Sequence, residues 1–153
     1  MIQDMSGLEF KTSGIEAASW SVVTHNGVVM EPTVQKGALR LDISNTSGAN
    51  WHGELQHAPF RVKAGDTITV SFYAKAESPF TFSVWLGQDH APHQSLVAKE
   101  KHFGESLMTS EWQKFEHTWK AVTDEQSARV NWVLGQIDNV VEIKNISLSR
   151  HRD

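Results

Sequence analysis

The sequence contains no cysteine, a single tyrosine, no block of basic residues and no apolar run near the roughly 20 residues that cross a bilayer. Each shortage removes a class of protein. Without cysteine, a disulfide framework and a thiolate metal site are both excluded. The formal charge of -4 is spread along the chain, so neither nucleic acid nor an anionic membrane meets the positive surface it requires. The opening MIQDMSGLEF lacks the charged, apolar and small-residue succession of an export signal. At 153 residues the chain suits one domain, spanning 1–153, that buries most of its apolar surface unaided.

Familiar catalytic signatures are missing as well. There is no Gly-x-Ser-x-Gly elbow, phosphate loop or dinucleotide fingerprint. Eight histidines raise a metal reading, and their spacing argues against it. His90 and His93 lie three apart, but Pro92 interrupts any helical turn between them and no third ligand follows at a zinc spacing. They read as a surface-loop pair. Asp66, Asp124, Glu125 and Asp138 fall at turns, where solvated surface is the expectation. Carboxylates that meet only in the fold leave glycoside hydrolysis open.

What the chain has is period-two alternation and no sustained helical period, which predicts an all-β fold. In DTITVSFYAKA, Ile68, Val70, Phe72 and Ala74 share one face, with Thr67, Thr69, Ser71, Tyr73 and Lys75 on the other. In FTFSVWLG, Phe80, Phe82, Val84 and Leu86 oppose Thr81, Ser83 and Trp85, so the two runs are expected to pair as a hairpin around Glu77-Ser78-Pro79. Further strands are expected at VVMEPTV, ALRLDIS, HQSLVAKEKHF, WQKFEHTWKAV, SARVNWVLG and VVEIKNISLS, with GQDHAP and GESLMTSE as loops. About ten short strands in one domain suggest a two-sheet antiparallel β-sandwich, most simply a jelly roll.

Six tryptophans are more than a core of this size needs, so some of them are expected as surface platforms. The stretch ANWHGELQH focuses the question. Leu55 should point inward, turning His52, Glu54 and Gln56 outward. Strict alternation would put Trp51 on the side of Leu55, unless Gly53 kinks the chain first.

From residue 37 onward the pieces GALRLDIS, WHGELQHAPFRVKAGDTITVSFYAKA, FSVWLGQDHAP, TSEWQKFEHTW, ARVNWVLG and VEIKNISL resemble, in order and spacing, carbohydrate-binding modules of the family 4, 9 and 22 type found in cellulases and xylanases. The resemblance implies a sandwich with one concave sheet along which a glycan chain lies. It implies a site of Trp51, which matches the first residue of the family's W-x-x-E/Q, with Glu54 three further on. His52 and Gln56 share the face of Glu54, Trp85 and Tyr73 stand as further platforms, and Arg129 and Asn131 are candidates from their own strand. Trp20, Trp112, Trp119 and Trp132 match positions that the family packs inside.

The implied function is non-catalytic binding of a β-1,4-linked plant polysaccharide, xylan or a cellulose-like β-glucan. The module would be a monomer in the same native chain as a secreted hydrolase whose export signal lies outside this sequence, with no nucleic-acid or membrane partner. The alternative is a polysaccharide lyase or hydrolase in which His52, Glu54 and a tyrosine act as acid and base. An adhesive or structural sandwich is a third reading. The family's structural calcium site falls at Phe10-Lys11 and Ile143-Lys144, where lysine cannot supply anionic oxygens. No cofactor is therefore expected.

Overall fold

A computed structural model describes residues 1–15 and 19–152. Among these residues the chain forms β1 (Ile2–Asp4), β2 (Thr12–Gly14), β3 (Ser19–Thr24), β4 (Val29–Gln35), β5 (Ala38–Ser44), β6 (Gly53–Val62), β7 (Thr67–Ala76), β8 (Phe80–Gln88), β9 (Phe103–Met108), β10 (Gln113–Lys120), β11 (Glu125–Val133) and β12 (Asn139–His151). They make two sheets. The first runs β1-β3-β6-β11-β8-β9 and the second β10-β7-β12-β5-β4, with β2 added alongside β12 as a parallel pair. All other pairings are antiparallel, and the architecture is a β-sandwich. No helix among the described residues is long and apolar enough to cross a membrane.

Alternation explains the core. Ile68, Val70, Phe72 and Ala74 of β7 are fully buried, and Phe82, Val84 and Leu86 of β8 oppose them. The rings meet across the sheets: Phe72 lies edge-on to Phe82 at 6.1 Å and to Trp132 at 5.7 Å. This arrangement corrects the expected hairpin. β7 pairs with β10 and β12 in the second sheet, and β8 with β9 and β11 in the first. Residues 77–79 instead arch between the layers, fastened by reciprocal bonds in which Ser78 N donates to Asn139 Oδ1 and Asn139 Nδ2 to Ser78 O, each 2.9 Å. Two alternating runs whose apolar faces meet the same core satisfy burial equally well as a hairpin or an arch. Pattern alone does not separate them.

Further expectations change. The HQSLVAKEKHF segment is not a strand but turns with a short 3-10 piece at Lys99–Lys101, and GESLM of the expected loop is the edge strand β9. Trp119 and Trp132 are fully buried, and Trp20 packs against the core. Trp112 does not. It lies on the outer face of the second sheet with the ammoniums of Lys144 and Lys75 over its ring, 4.1 and 5.0 Å from the centroid, an arrangement that holds an indole at the surface through cation–π attraction. Asp66 is likewise buried, accepting from Lys63 N at 2.9 Å and from Arg152 Nε at 2.9 Å.

Candidate functional site

On the outward face of the first sheet, β6 presents Glu54 and Gln56, β11 presents Arg129 and Asn131, and β8 presents Ser83 and Trp85. Register brings them together: Asn131 stands opposite Gln56 on one side and Trp85 on the other. Two adjoining hollows of about 290 and 530 Å³ form a groove over this floor, and Trp51, Glu54, His93 and Arg129 border both. A hollow of about 640 Å³ elsewhere lies among the N-terminal residues Met5, Leu8 and Phe10 beside Trp20. It gathers none of the residues expected to bind carbohydrate.

The groove wall at Trp51 answers the question raised by ANWHGELQH. Residues Asn50–His52 form a 3-10 turn, and β6 begins only at Gly53. The turn is seated by Gly135 N donating to Asn50 O at 3.0 Å and Leu134 N to Gly53 O at 2.9 Å. Gly135 leaves no room for a side chain, because a Cβ there would lie 2.5 Å from Gly53 N and 2.8 Å from Asn50 O, and one on Gly53 would be tight, 3.2 Å from Gly135 Cα. The indole of Trp51 thereby leaves the inward face taken by Leu55 and is 53% exposed. His52 supports it edge-on at 4.2 Å and His25 lies 5.2 Å away.

On the opposite wall Trp85 is half-buried, its Nε1 donating to Ser83 Oγ at 2.9 Å and its ring resting against His102 at 4.2 Å. Between the walls, Asn131 Nδ2 donates to Glu54 Oε2 at 2.5 Å. Burial pushes the Glu54 carboxyl above the usual carboxylate range, with the Arg129 guanidinium and the Asn131 amide opposing the rise. The floor thus offers amides, a carboxyl and a guanidinium between two indoles. Hydroxyl-rich, uncharged rings fit such a mixture.

Six of the eight residues expected at the site gather here: Trp51, Glu54, Gln56, Trp85, Arg129 and Asn131. His52 does not. The 3-10 turn rotates it away from the face of Glu54, and it is buried with Nδ1 2.5 Å from Ser47 Oγ. Tyr73 is on the other sheet altogether, on the outer face of β7 between Lys114 and Lys144, because the chain arches after β7 instead of turning back. His52, Glu54 and Tyr73 therefore do not converge.

Among the residues bordering the groove that were not legible in the sequence, two come from one loop. Asp89 and His93 come from the loop between β8 and residue 95, which folds back over the sheet. Glu125 holds it from below, accepting from Gln88 Nε2 at 3.1 Å and pairing with His90 Nε2 at 3.0 Å, while Asp89 N donates to Ser127 O at 2.9 Å. The only signal was the position of GQDHAP, a polar irregular stretch directly after the Trp85 strand.

A two-sheet sandwich with an aromatic-walled polar groove on one sheet is the architecture of a sugar-binding module. The family model described as a carbohydrate binding domain, of the 4 and 9 type, matches residues 10–139, and the chain belongs to this family. Among solved structures, a CBM4 structure is 21% identical with a TM-score of 0.77, covering 87% of each chain. The N-terminal cellulose-binding domain of β-1,4-glucanase C from Cellulomonas fimi is 16% identical, with a TM-score of 0.63 over 88% of this chain and 90% of that one. The CBM22-1 xylan-binding domain of Xyn10C from Paenibacillus barcinonensis is 11% identical, with a TM-score of 0.59 over 100% of this chain and 94% of the other. A search of curated proteins found no match.

Proposed function

We propose that residues 1–153 act as one non-catalytic module that holds a single β-1,4-linked plant polysaccharide chain, xylan or a cellulose-like β-glucan, in the groove. The observation that carries this reading is the pairing of two indole walls, Trp51 and Trp85, with the floor of Glu54, Gln56 and Asn131. Sugar rings present C–H faces that stack on indoles, and their hydroxyls exchange hydrogen bonds with amides and carboxylates. The cellulose-binding and xylan-binding domains of similar fold support the choice of glycan. Affinity is modest, since an open groove competes with water for every hydroxyl.

In its native setting the module is a monomer that keeps a glycoside hydrolase of the same chain close to its substrate outside the cell. Affinity electrophoresis in gels containing xylan, β-glucan, hydroxyethylcellulose, mannan or laminarin tests the binding. The protein is expected to be retarded by xylan or by one of the β-1,4-glucans, and Trp51→Ala and Trp85→Ala each to lose most of that retardation. Unchanged migration of both variants relative to the parent protein would reject the groove as the site.

The same reading leaves out the family's calcium. The Lys144 ammonium is engaged by the Trp112 ring, and Lys11 brings a second positive charge to the other expected ligand position, where calcium needs anionic oxygens. The thermal midpoint is expected to be the same with a chelator as with added calcium. A fall of several degrees on chelation sinks this part of the proposal.

A further inference from the structure

Two charged side chains border the groove, neither in a hydrogen bond or ion-pair contact among the described residues. The Asp89 carboxylate makes no hydrogen bond or ion pair among the described residues, although its backbone N–H is fixed to Ser127 O. The Nε of Arg129 is buried and also lacks a hydrogen-bond partner. Both border the same hollow, with Glu54, Gln56 and Trp51. Burial raises the Asp89 carboxyl above its ordinary range, opposed first by Arg129 and then by His93 and His90. They influence one another without touching, and the space between them is open.

A carboxylate accepts hydrogen bonds and a guanidinium only donates them. A pair of neighbouring sugar hydroxyls satisfies both at once, one giving its proton to Asp89 and the other accepting from Arg129. A uronate carboxylate could satisfy Arg129 but has no proton for Asp89, and it would add a third negative charge beside Asp89 and Glu54. His93, His25 and the N-terminal residue Met1 also border this hollow; burial holds the His25 imidazole below its ordinary range, and the Met1 ammonium donates to Thr24 O at 2.6 Å, so the selection rests first on the proton that Asp89 requires.

We propose that Asp89 and Arg129 form a clamp for two adjacent hydroxyls of one sugar unit, and that this clamp makes the loop after β8 a specificity element selecting neutral glycan stretches over uronate-bearing ones. The proposal rests on the glycan-binding reading and adds to it a residue, Asp89, and a chemical selection. The loop is suited to this role because Glu125 pins it through Gln88 and His90, so Asp89 is held in place before ligand arrives. Pre-positioning lowers the ordering cost of the contact.

Calorimetric titration with xylohexaose, cellohexaose and a xylo-oligosaccharide of equal length bearing one glucuronate tests the clamp. The parent protein is expected to bind one of the neutral hexasaccharides about tenfold more tightly than the glucuronate-bearing chain, as befits hydrogen bonds to charged groups. Asp89→Ala and Arg129→Gln should each weaken neutral binding by about tenfold. Asp89→Asn keeps an acceptor while removing the charge, and should narrow the gap between neutral and acidic ligands. Circular dichroism melts confirm that each variant is folded. Equal binding of neutral and acidic chains by the parent, or unchanged affinity in folded Asp89→Ala while Trp51→Ala loses binding, overturns the clamp alone. Absence of binding to every oligosaccharide and to the gel polysaccharides overturns the underlying reading instead.

Discussion

Trp132→Ala is expected to lower the free energy of unfolding by about 4 kcal/mol, the range for deleting a large buried aromatic. Trp132 is fully buried on β11, the strand that joins β6 to β8 at the middle of the first sheet. Its ring bridges the layers, edge-on to Phe72 of the second sheet at 5.7 Å and 5.6 Å from Trp20. Removing it leaves a cavity against both sheets that neighbouring rings, already in contact with one another, fill poorly. Its Nε1 has no hydrogen-bond partner among the described residues, and a buried unpaired donor costs about 1–3 kcal/mol. Trp132→Phe keeps most of the packing and removes that donor, so it should cost less than half as much as alanine. Urea denaturation of both variants measures this. A loss below about 1 kcal/mol for Trp132→Ala would mean that the ring is not the bridge described.

The second large effect is a loss of stability in acid that His57 controls. His57 is buried beside Trp20, at 4.3 Å between ring centres, and burial lowers its pKa from 6.5 to about 4 despite a bond to the Ile15 carbonyl. Above pH 6.5 the imidazole is neutral in both the folded and the unfolded chain, and it does not tilt the balance. As pH falls, the unfolded chain takes up a proton that the folded one refuses, so stability declines until the folded imidazole also protonates near pH 4. At about 1.4 kcal/mol per tenfold, the full loss is about 3 kcal/mol. Asp66, Glu125 and Asp138, whose carboxyls are held low, add their own losses at still lower pH. His57→Phe retains a ring against Trp20 and removes the titration. Its melting midpoint should therefore fall less than the parent's between neutral pH and pH 4, and parallel curves would refute the assignment.

Of the two rings, Trp132 was expected in the core and lies there, whereas the sequence did not single out His57. Alternation in β7 and β8 assigned Ile68, Phe72, Phe82 and Leu86 to the core, and the same rule placed Glu54 and Gln56 on the groove side. What alternation leaves undetermined is which sheet a strand joins, since a face that must be buried does not say against which neighbour. Tyr73 was lost to the groove for that reason. Trp51 and His52 show the opposite limit. Their orientations come from a 3-10 turn set by the approach of Gly53 to Gly135, a contact across 82 positions of sequence that no local pattern encodes. Asp89 reaches the groove only because Glu125 and Ser127 of β11 tie down the preceding loop. The charge of Lys11 and Lys144, by contrast, needs no fold to be read as hostile to a divalent cation.

The seat of Trp51 also bears on how such a module diverges. Its position is defined by backbone bonds, from Gly135 to Asn50, Leu134 to Gly53 and His25 to His52, and no core residue depends on the indole itself. The side chain at that place is uncoupled from folding. If Trp51 is the platform proposed, exchanging it would alter which ligand is held while the backbone bonds keep the turn intact, so recognition could drift between lineages, or be redesigned, on a scaffold that does not have to change.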